Sequence, residues 1–278
     1  MEDIENNIGQ QHQLPLSIIT VNLNNKEGLK NTIDSVAAQT CRNFEFIVVD
    51  GNSTDGSRSL LEQSPVPTYY ISENDTGVYA AMNKGVNLAH GNYCFFLNSG
   101  DTFVNNKVVE NVMGYLNDDH DVISGNSYLI GNGVRLNEKS PKELTLPFLL
   151  FSTLHHQSTF IKKKLLEETP YDENYHIVSD WKFLIQNFIA SGICYRHINL
   201  YISNYQLGGI SSTNVEKLEH ERKAILNALA IDLYDSLKNI PWQIMNVYKE
   251  PLPANRRFAI IMGSLNSSLV KFFRRIKK

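Results

Sequence analysis

Short runs of consecutive apolar residues alternate along this chain with longer stretches in which apolar residues recur every three or four positions. Residues 16–21, 44–49, 69–72 and 93–97 are runs rich in Ile, Val, Phe and Tyr, as in strands buried on both faces. Between them, residues 28–39 set Leu29, Ile33, Val36 and Ala37 on one helical face, residues 57–63 open a helix after a polar loop, and residues 78–89 read as a further helix. Downstream, 108–116 reads as helix, 122–127 and 127–130 as strand, 146–154 as an apolar segment and 215–237 as a long, charge-rich helix. This alternation predicts an α/β fold with a mostly parallel sheet and right-handed crossovers. Internal repeats and low-complexity tracts are absent from the sequence.

Two strands end alike. Ile47-Val48-Val49 runs into Asp50-Gly51-Asn52-Ser53-Thr54-Asp55-Gly56, and Phe95-Phe96-Leu97 into Asn98-Ser99-Gly100-Asp101. A carboxylate at the end of a buried strand, followed by a Gly/Asn/Ser turn, stands where open α/β sheets bind ligands. Thr20 and Asn22 close the first strand beside Asp50, where a base could slip between strand ends and a carboxylate accept its ring N–H. Asp101 offers the hard oxygen that Mg2+ or Mn2+ takes together with phosphate oxygens. Each aspartate can also be a turn cap, and Asp55 a helix-entry residue. Gly77 lets a ligand approach the start of the 78–89 helix, whose free N–H groups suit an anion. Asp180 stands at the start of an apolar-periodic helix, as an N-cap or as a general base. His155 and His156 lack zinc spacing, and at most one of two adjacent histidines looks into a site.

Composition narrows the class. With 278 residues and 42% apolar content the chain can bury a full core. The first thirteen residues show no basic start leading to an apolar core, no run approaches the roughly 20 apolar residues of a membrane span, and Cys41, Cys94 and Cys194 are too few and too scattered for a disulfide or zinc framework. A cytoplasmic location is expected. Every charged residue after Glu250 is basic, whereas the remainder holds 19 basic against 29 acidic residues. In that tail Phe258, Ile261, Leu265, Leu269, Phe272 and Ile276 form one helical stripe beside the basic residues. The pattern fits a helix lying on the inner face of a membrane, or a final helix packed on the domain. No nucleic-acid partner is expected.

Taken in order, Ser17-Ile18-Ile19-Thr20-Val21-Asn22, Asp50 to Gly56, Glu73 to Gly85 and Phe96 to Asp101 resemble family 2 glycosyltransferases of the GT-A fold, the inverting enzymes of bacterial surface polysaccharide synthesis. Weaker echoes occur at His156-Gln157-Ser158, Ser179-Asp180-Trp181 and Gly208-Gly209-Ile210-Ser211, the last a loop hinged on glycines or a plain connector. The resemblance implies a flexible start (1–13), a GT-A domain (14–212) with a donor part to about residue 104 and an acceptor part beyond it, and a C-terminal helical extension (213–278). It implies a nucleoside diphosphate sugar, UDP-linked by preference, as donor, with Mg2+ or Mn2+, and a saccharide, lipid-linked at a membrane, as acceptor. By position it implies that Asp50 binds the base and Asp101 the metal, that Asn98 or backbone groups, in place of the family's first acid, take the ribose contact, and that Asp75 lies near the sugar. Lys84 falls near the diphosphate or in an internal ion pair, His156 and Gln157 contact the acceptor, and Asp180 removes the acceptor proton.

Two other classes are weighed. A dinucleotide-dependent oxidoreductase is disfavoured, because Asn22 to Gly28 cannot supply the Gly-x-Gly-x-x-Gly phosphate cradle. A non-catalytic sugar- or nucleotide-binding module on the same fold would have no need of both Asp101 and Asp180.

Overall fold

The structure, a computed structural model, describes residues 14–131, 133–209 and 214–237. The expected flexible start, Ile210 and Ser211 of the Gly208-Gly209 loop, and the basic tail lie outside the described residues. The chain divides into two compact units, Met1–Thr213 and Asn214–Lys278. In the second, α8 (Val215–Leu237) begins at Asn214, whose side chain accepts the Lys217 N–H at 3.2 Å. Among the described residues no helix is long and apolar enough to cross a membrane.

The first unit starts as the hydrophobic pattern predicts. Strands β1 (Leu16–Asn22), β2 (Glu45–Asp50), β3 (Tyr69–Ser72) and β4 (Tyr93–Phe96) alternate with helices α1 (Lys26–Ala37), α2 (Ser57–Gln63) and α3 (Val78–Leu88). These strands pair in parallel in the order β3-β2-β1-β4. β1, β2 and β4 are buried along their whole length, which is why they read as continuous runs. Asn25 starts α1 by accepting the Gly28 N–H at 3.1 Å, and the helix packs Leu29, Ile33 and Val36 into the core with Phe46, Val48 and Phe95. Phe95 is stacked between Phe160 and Phe103, with ring centroids 4.6 and 5.5 Å away.

The second half departs from a simple alternation. β5 (Thr102–Phe103) and α4 (Val108–Met113) lead to β6 (Val122–Gly131), one strand where the pattern suggested two, with its register shifted around Asn126. β6 turns into β7 (Val134–Glu138), and α5 (Leu146–Phe151) and a 3-10 turn at His156–Ser158 bring the chain back as β8 (Thr159–Lys162). β8 fills the gap between β4 and β6 antiparallel to both, so this half is mixed rather than parallel. After α6 (Lys163–Glu168) and α7 (Ser179–Ala190), β9 (Tyr195–Gln206) runs parallel to β6 and pairs with β5. The sheet order is β3-β2-β1-β4-β8-β6-β9-β5, with β7 paired to the later part of β6, residues 127–131. The carboxyl ends of β1, β2 and β4 open on one edge, beside the 3-10 turn and the start of α7.

Candidate active site

At the ends of β1 and β2 the polar side chains are turned inward. Asn24 and Asn52 leave their strands with φ of 49° and 60°, a left-handed conformation that asparagine tolerates better than most residues. The Asn24 N–H then reaches Ser53 Oγ at 2.8 Å, and its side-chain oxygen accepts the Thr54 N–H at 2.9 Å, which locks the two loops together. Asp50 lies beneath this lock, fully buried. Its Oδ1 accepts from Asn22 Nδ2 (2.7 Å) and Ser53 Oγ (2.5 Å), and its Oδ2 from the Ser53 N–H (3.0 Å) and Ser72 Oγ (2.7 Å). Those four bonds fill the lone-pair sites of a carboxylate. Asp50 thereby braces β1, β2, β3 and the 51–56 loop at the strand end where its contact with a base is expected. Burial alone would raise its pKa, but the bonds from Ser53, Asn22 and Ser72 outweigh it and hold the carboxyl below its ordinary value. Thr20 is also buried and donates to the Leu97 carbonyl at 2.6 Å, so it ties β1 to β4. Asn22 keeps a buried Oδ1 with no partner.

The surface above Asp50 is formed by residues that pattern alone leaves anonymous. A Cβ at Gly51 would meet Asp75 Oδ2 at 2.8 Å and Leu23 Cδ1 at 3.2 Å, so the missing side chain lets a carboxylate and an apolar side chain close over the end of β2. Leu23 is 61% exposed there. Asp75 also accepts the Gly77 N–H at 3.0 Å, which shapes the entry to α3. Lys84 pairs with Glu73 at 2.8 Å and donates to the Asn74 carbonyl at 3.0 Å, the internal ion pair that is one of its two expected places.

The Asn98–Asp101 turn is held from below by α1. Thr32 Oγ1 accepts the Gly100 N–H at 3.0 Å and donates to the Asp101 carbonyl at 2.8 Å, and Gly100 takes φ 104°. Asp101 is only 5% exposed. Its Oδ1 accepts the Gln206 N–H at 2.9 Å, and the Gln157 side chain bonds the same carboxyl. Burial dominates over these bonds and pushes the Asp101 carboxyl up to about 6. Gln157 is buried and braces Asp101.

Asp180 completes the site. It occupies the first turn of α7 but does not cap it, since Val178 holds the cap position. Its Oδ1 accepts the Trp181 N–H at 2.8 Å and lies 2.9 Å from the Tyr79 hydroxyl of α3, while Oδ2 lies 3.3 Å from His156 Nδ1. His156 Nε2 is 3.1 Å from Asn98 Nδ2. One proton assignment satisfies both contacts: Asn98 donates to Nε2, and His156 Nδ1–H donates to Asp180. That leaves Asn98 Oδ1 buried and without a partner. Burial works to raise the Asp180 pKa; the bonds from His156, Tyr79 and Trp181 prevail and keep it below the ordinary carboxylate value. His155, turned away beside Tyr205, has its pKa lowered by burial.

The structure thus brings Asn98, Asp101, His156, Gln157 and Asp180 together, while Thr20, Asp50 and Lys84 bond to neighbouring protein groups. Tyr79, Thr32 and the Gln206 N–H were missed. Tyr79 sits at an apolar helical position, and its only signal was being Tyr, whose hydroxyl needs a partner when buried. A divalent ion fits what is present: the buried Asp101 carboxyl, whose burial outweighs its bonds from Gln206 and Gln157, and the unpartnered Asn98 Oδ1 are hard oxygen donors. Among the described residues there is no group of three His, Cys, Asp or Glu, so such an ion would draw its other ligands from phosphate and water.

The glycosyl transferase family 2 model matches residues 17–181. The chain belongs to that family and is a glycosyltransferase. Relatives include the "PGL/p-HBAD biosynthesis glycosyltransferase" of Mycobacterium tuberculosis, 30% identical over 226 residues, 78% of this chain and 87% of the relative. The putative teichuronic acid biosynthesis glycosyltransferase TuaG of Bacillus subtilis is 35% identical over 98 residues, 34% of this chain and 38% of TuaG. Among solved structures, residues 1–349 of S. aureus TarS in complex with UDP-GlcNAc align with TM-score 0.63 at 16% identity over 79% of this chain and 66% of that one; the chain spans 39% of the longer TarS structure. The mannosyltransferase PcManGT from Pyrobaculum calidifontis, with GDP-Man and Mn2+, aligns with TM-score 0.55 at 13% identity over 93% of this chain and 87% of that one. These likenesses establish the GT-A fold.

Proposed function

We propose that this enzyme moves a sugar from a nucleoside diphosphate sugar to a hydroxyl of a saccharide acceptor with inversion at the anomeric carbon, Asp180 acting as general base. The observation that carries the reading is the chain of contacts from Asn98 through His156 to Asp180, which links the candidate base directly to the Asp101 turn. The donor class draws support from TarS and PcManGT, crystallised with UDP-GlcNAc and GDP-Man respectively; UDP is the nucleotide we favour. Leu23, Gly51 and Asp75, above Asp50, would receive the base side of the donor. Asp101 and Asn98 Oδ1 would hold Mg2+ or Mn2+, which when bound supplies positive charge to the leaving diphosphate.

Asp180 is ionised throughout the neutral range, because its pKa is depressed, and it is therefore present in its basic form. Tyr79 and His156 fix its two oxygens, so an acceptor hydroxyl approaching the carboxylate meets a preoriented group. Proton transfer then accompanies late attack, which asks for little basicity in a dry site. His156 holds its tautomer through Asn98 and so reports the state of the donor turn to the base. A lipid-linked acceptor at the inner face of a membrane is the finer reading, resting on the basic, apolar-striped tail.

Replacing Asp180 by Asn tests the assignment. The amide preserves shape, so affinity for UDP with Mn2+ should stay within a few-fold while sugar transfer falls by roughly 10² to 10⁴. Near-normal turnover in Asp180→Asn would remove Asp180 from the chemistry.

A further inference from the structure

A cavity of about 240 Å3 opens beyond β5, where the start of α4 faces β6, β7 and β9, and it uses none of Asp75, Asp101 or Asp180. Val104, Val108, Leu200 and Ile202 give it an apolar wall. Its other side is a layered stack. The Tyr128 and Tyr201 rings lie 4.2 Å apart and 11° from parallel, and the Arg135 guanidinium sits 3.5 Å over the Tyr128 ring. Stacking occupies the face of a guanidinium and leaves its N–H edges in plane, free to grip a planar anion with two parallel bonds. Among the described residues no carboxylate stands within ion-pairing distance of Arg135. Asn105 and Asn111 line the same cavity; Asn105 Oδ1 accepts the Lys107 N–H at 2.8 Å, which leaves its amide N–H groups available to a hydroxyl.

These features select a ligand. The volume falls below the roughly 300–1,000 Å3 of drug-sized sites, which suits one sugar ring better than a nucleotide. Apolar walls match the C–H face of a pyranose, amides its hydroxyls, and a stacked, unpaired guanidinium an anionic substituent. We propose that the cavity is a subsite for a pyranose carrying a carboxylate or a phosphate ester, a sugar of the acceptor chain other than the one attacked. The proposal rests on the reading of a saccharide acceptor. Val104 follows Asp101 by three residues, at most about 10 Å of chain, so the subsite lies within reach of an acceptor that also occupies the reaction centre.

The test uses the full chain and NMR titration with methyl glucuronide, glucose 6-phosphate, methyl glucoside and inorganic phosphate. We expect at least one of the two anionic sugars to bind more tightly than methyl glucoside and inorganic phosphate, the better of the two naming the substituent. Arg135→Gln should weaken that binding by at least about tenfold with an unchanged melting temperature. Asn111→Ala, at an exposed helical position, should weaken it by a smaller factor and gives a second reading should Arg135→Gln disturb the hairpin. Equal binding of the neutral glucoside, equal binding of inorganic phosphate, or indifference to Arg135→Gln and Asn111→Ala overturns the subsite. Calorimetry with UDP and Mn2+ on the wild-type protein reads the donor assignment separately: UDP binding without sugar preference overturns the subsite alone, and sugar preference without UDP binding overturns the donor reading alone.

Discussion

Asp50 and Asp101 look alike in the sequence, each beside a Gly/Asn/Ser turn after an apolar run, Asp50 before its turn and Asp101 after it, yet their surroundings give them opposite electrostatics. Four donors surround Asp50 and depress its pKa, whereas Asp101 is buried with too little compensation and titrates at about 6. A carboxyl whose folded pKa exceeds its ordinary 3.8 contributes stability that is complete below that value and is lost as pH rises through about 6. For Asp101 the difference amounts to about 3 kcal/mol. Metal-free Asp101→Asn should therefore melt higher than wild type at pH 7, with the gap closing toward pH 4. Thermal melts in EDTA between pH 4 and 8 decide it, and a gap independent of pH would show that burial is not what sets this carboxyl. With UDP and Mn2+ present the order should reverse, because only the wild type has the anionic oxygen for the ion. The aspartates were legible as site candidates from strand-end position; how each carboxyl is held was not, since that depends on Ser53, Ser72 and Gln206, whose partners are set by tertiary contact.

Between elements, the decisive joint is where α1 meets the turn after β4. Thr32 is buried and serves both the Gly100 N–H and the Asp101 carbonyl, so Thr32→Val keeps the volume and strips both partners. Each orphaned buried group costs about 1–3 kcal/mol. We expect Thr32→Val to lose about 2 kcal/mol in urea unfolding and to weaken UDP–Mn2+ binding several-fold, with Thr32→Ser close to wild type in both. Stability lost with donor affinity intact would mean that the turn's shape does not depend on Thr32. The parallel half was readable because strands buried on both faces are written as apolar runs. β9 was not: in YRHINLYISNYQ only Ile198, Ile202 and Ser203 are buried, and a register shift opposite Asn126 breaks the alternation that would betray it. β8, at four residues, is too short for periodicity to register. The cost of missing β9 was functional, because it supplies the Gln206 N–H to Asp101 and one wall of the Arg135 cavity.

Over the whole chain, charge is divided between a body with 19 basic and 29 acidic residues and a stretch after Glu250 whose only charges are seven basic ones. An anionic membrane repels the first and attracts the second, and near such a surface each basic residue contributes about 1 kcal/mol, an attraction that falls off within a screening length of about 8 Å at physiological salt. The apolar stripe from Phe258 to Ile276 adds a contribution that salt does not screen. Full-length protein should therefore sediment with vesicles containing phosphatidylserine at low salt and be partly retained at high salt, while protein ending at Glu250 stays in the supernatant at both. Replacing the seven basic residues by Gln while keeping the stripe separates the two forces: binding should weaken and lose its salt dependence without vanishing. Full-length protein that remains in the supernatant at low salt would remove the membrane from this reading and leave a saccharide acceptor delivered in solution. Transfer assays on the truncated chain then locate the tail's role, since a tail that only delivers the enzyme to its acceptor should leave turnover on a soluble saccharide unchanged and lower it on vesicle-borne acceptor alone.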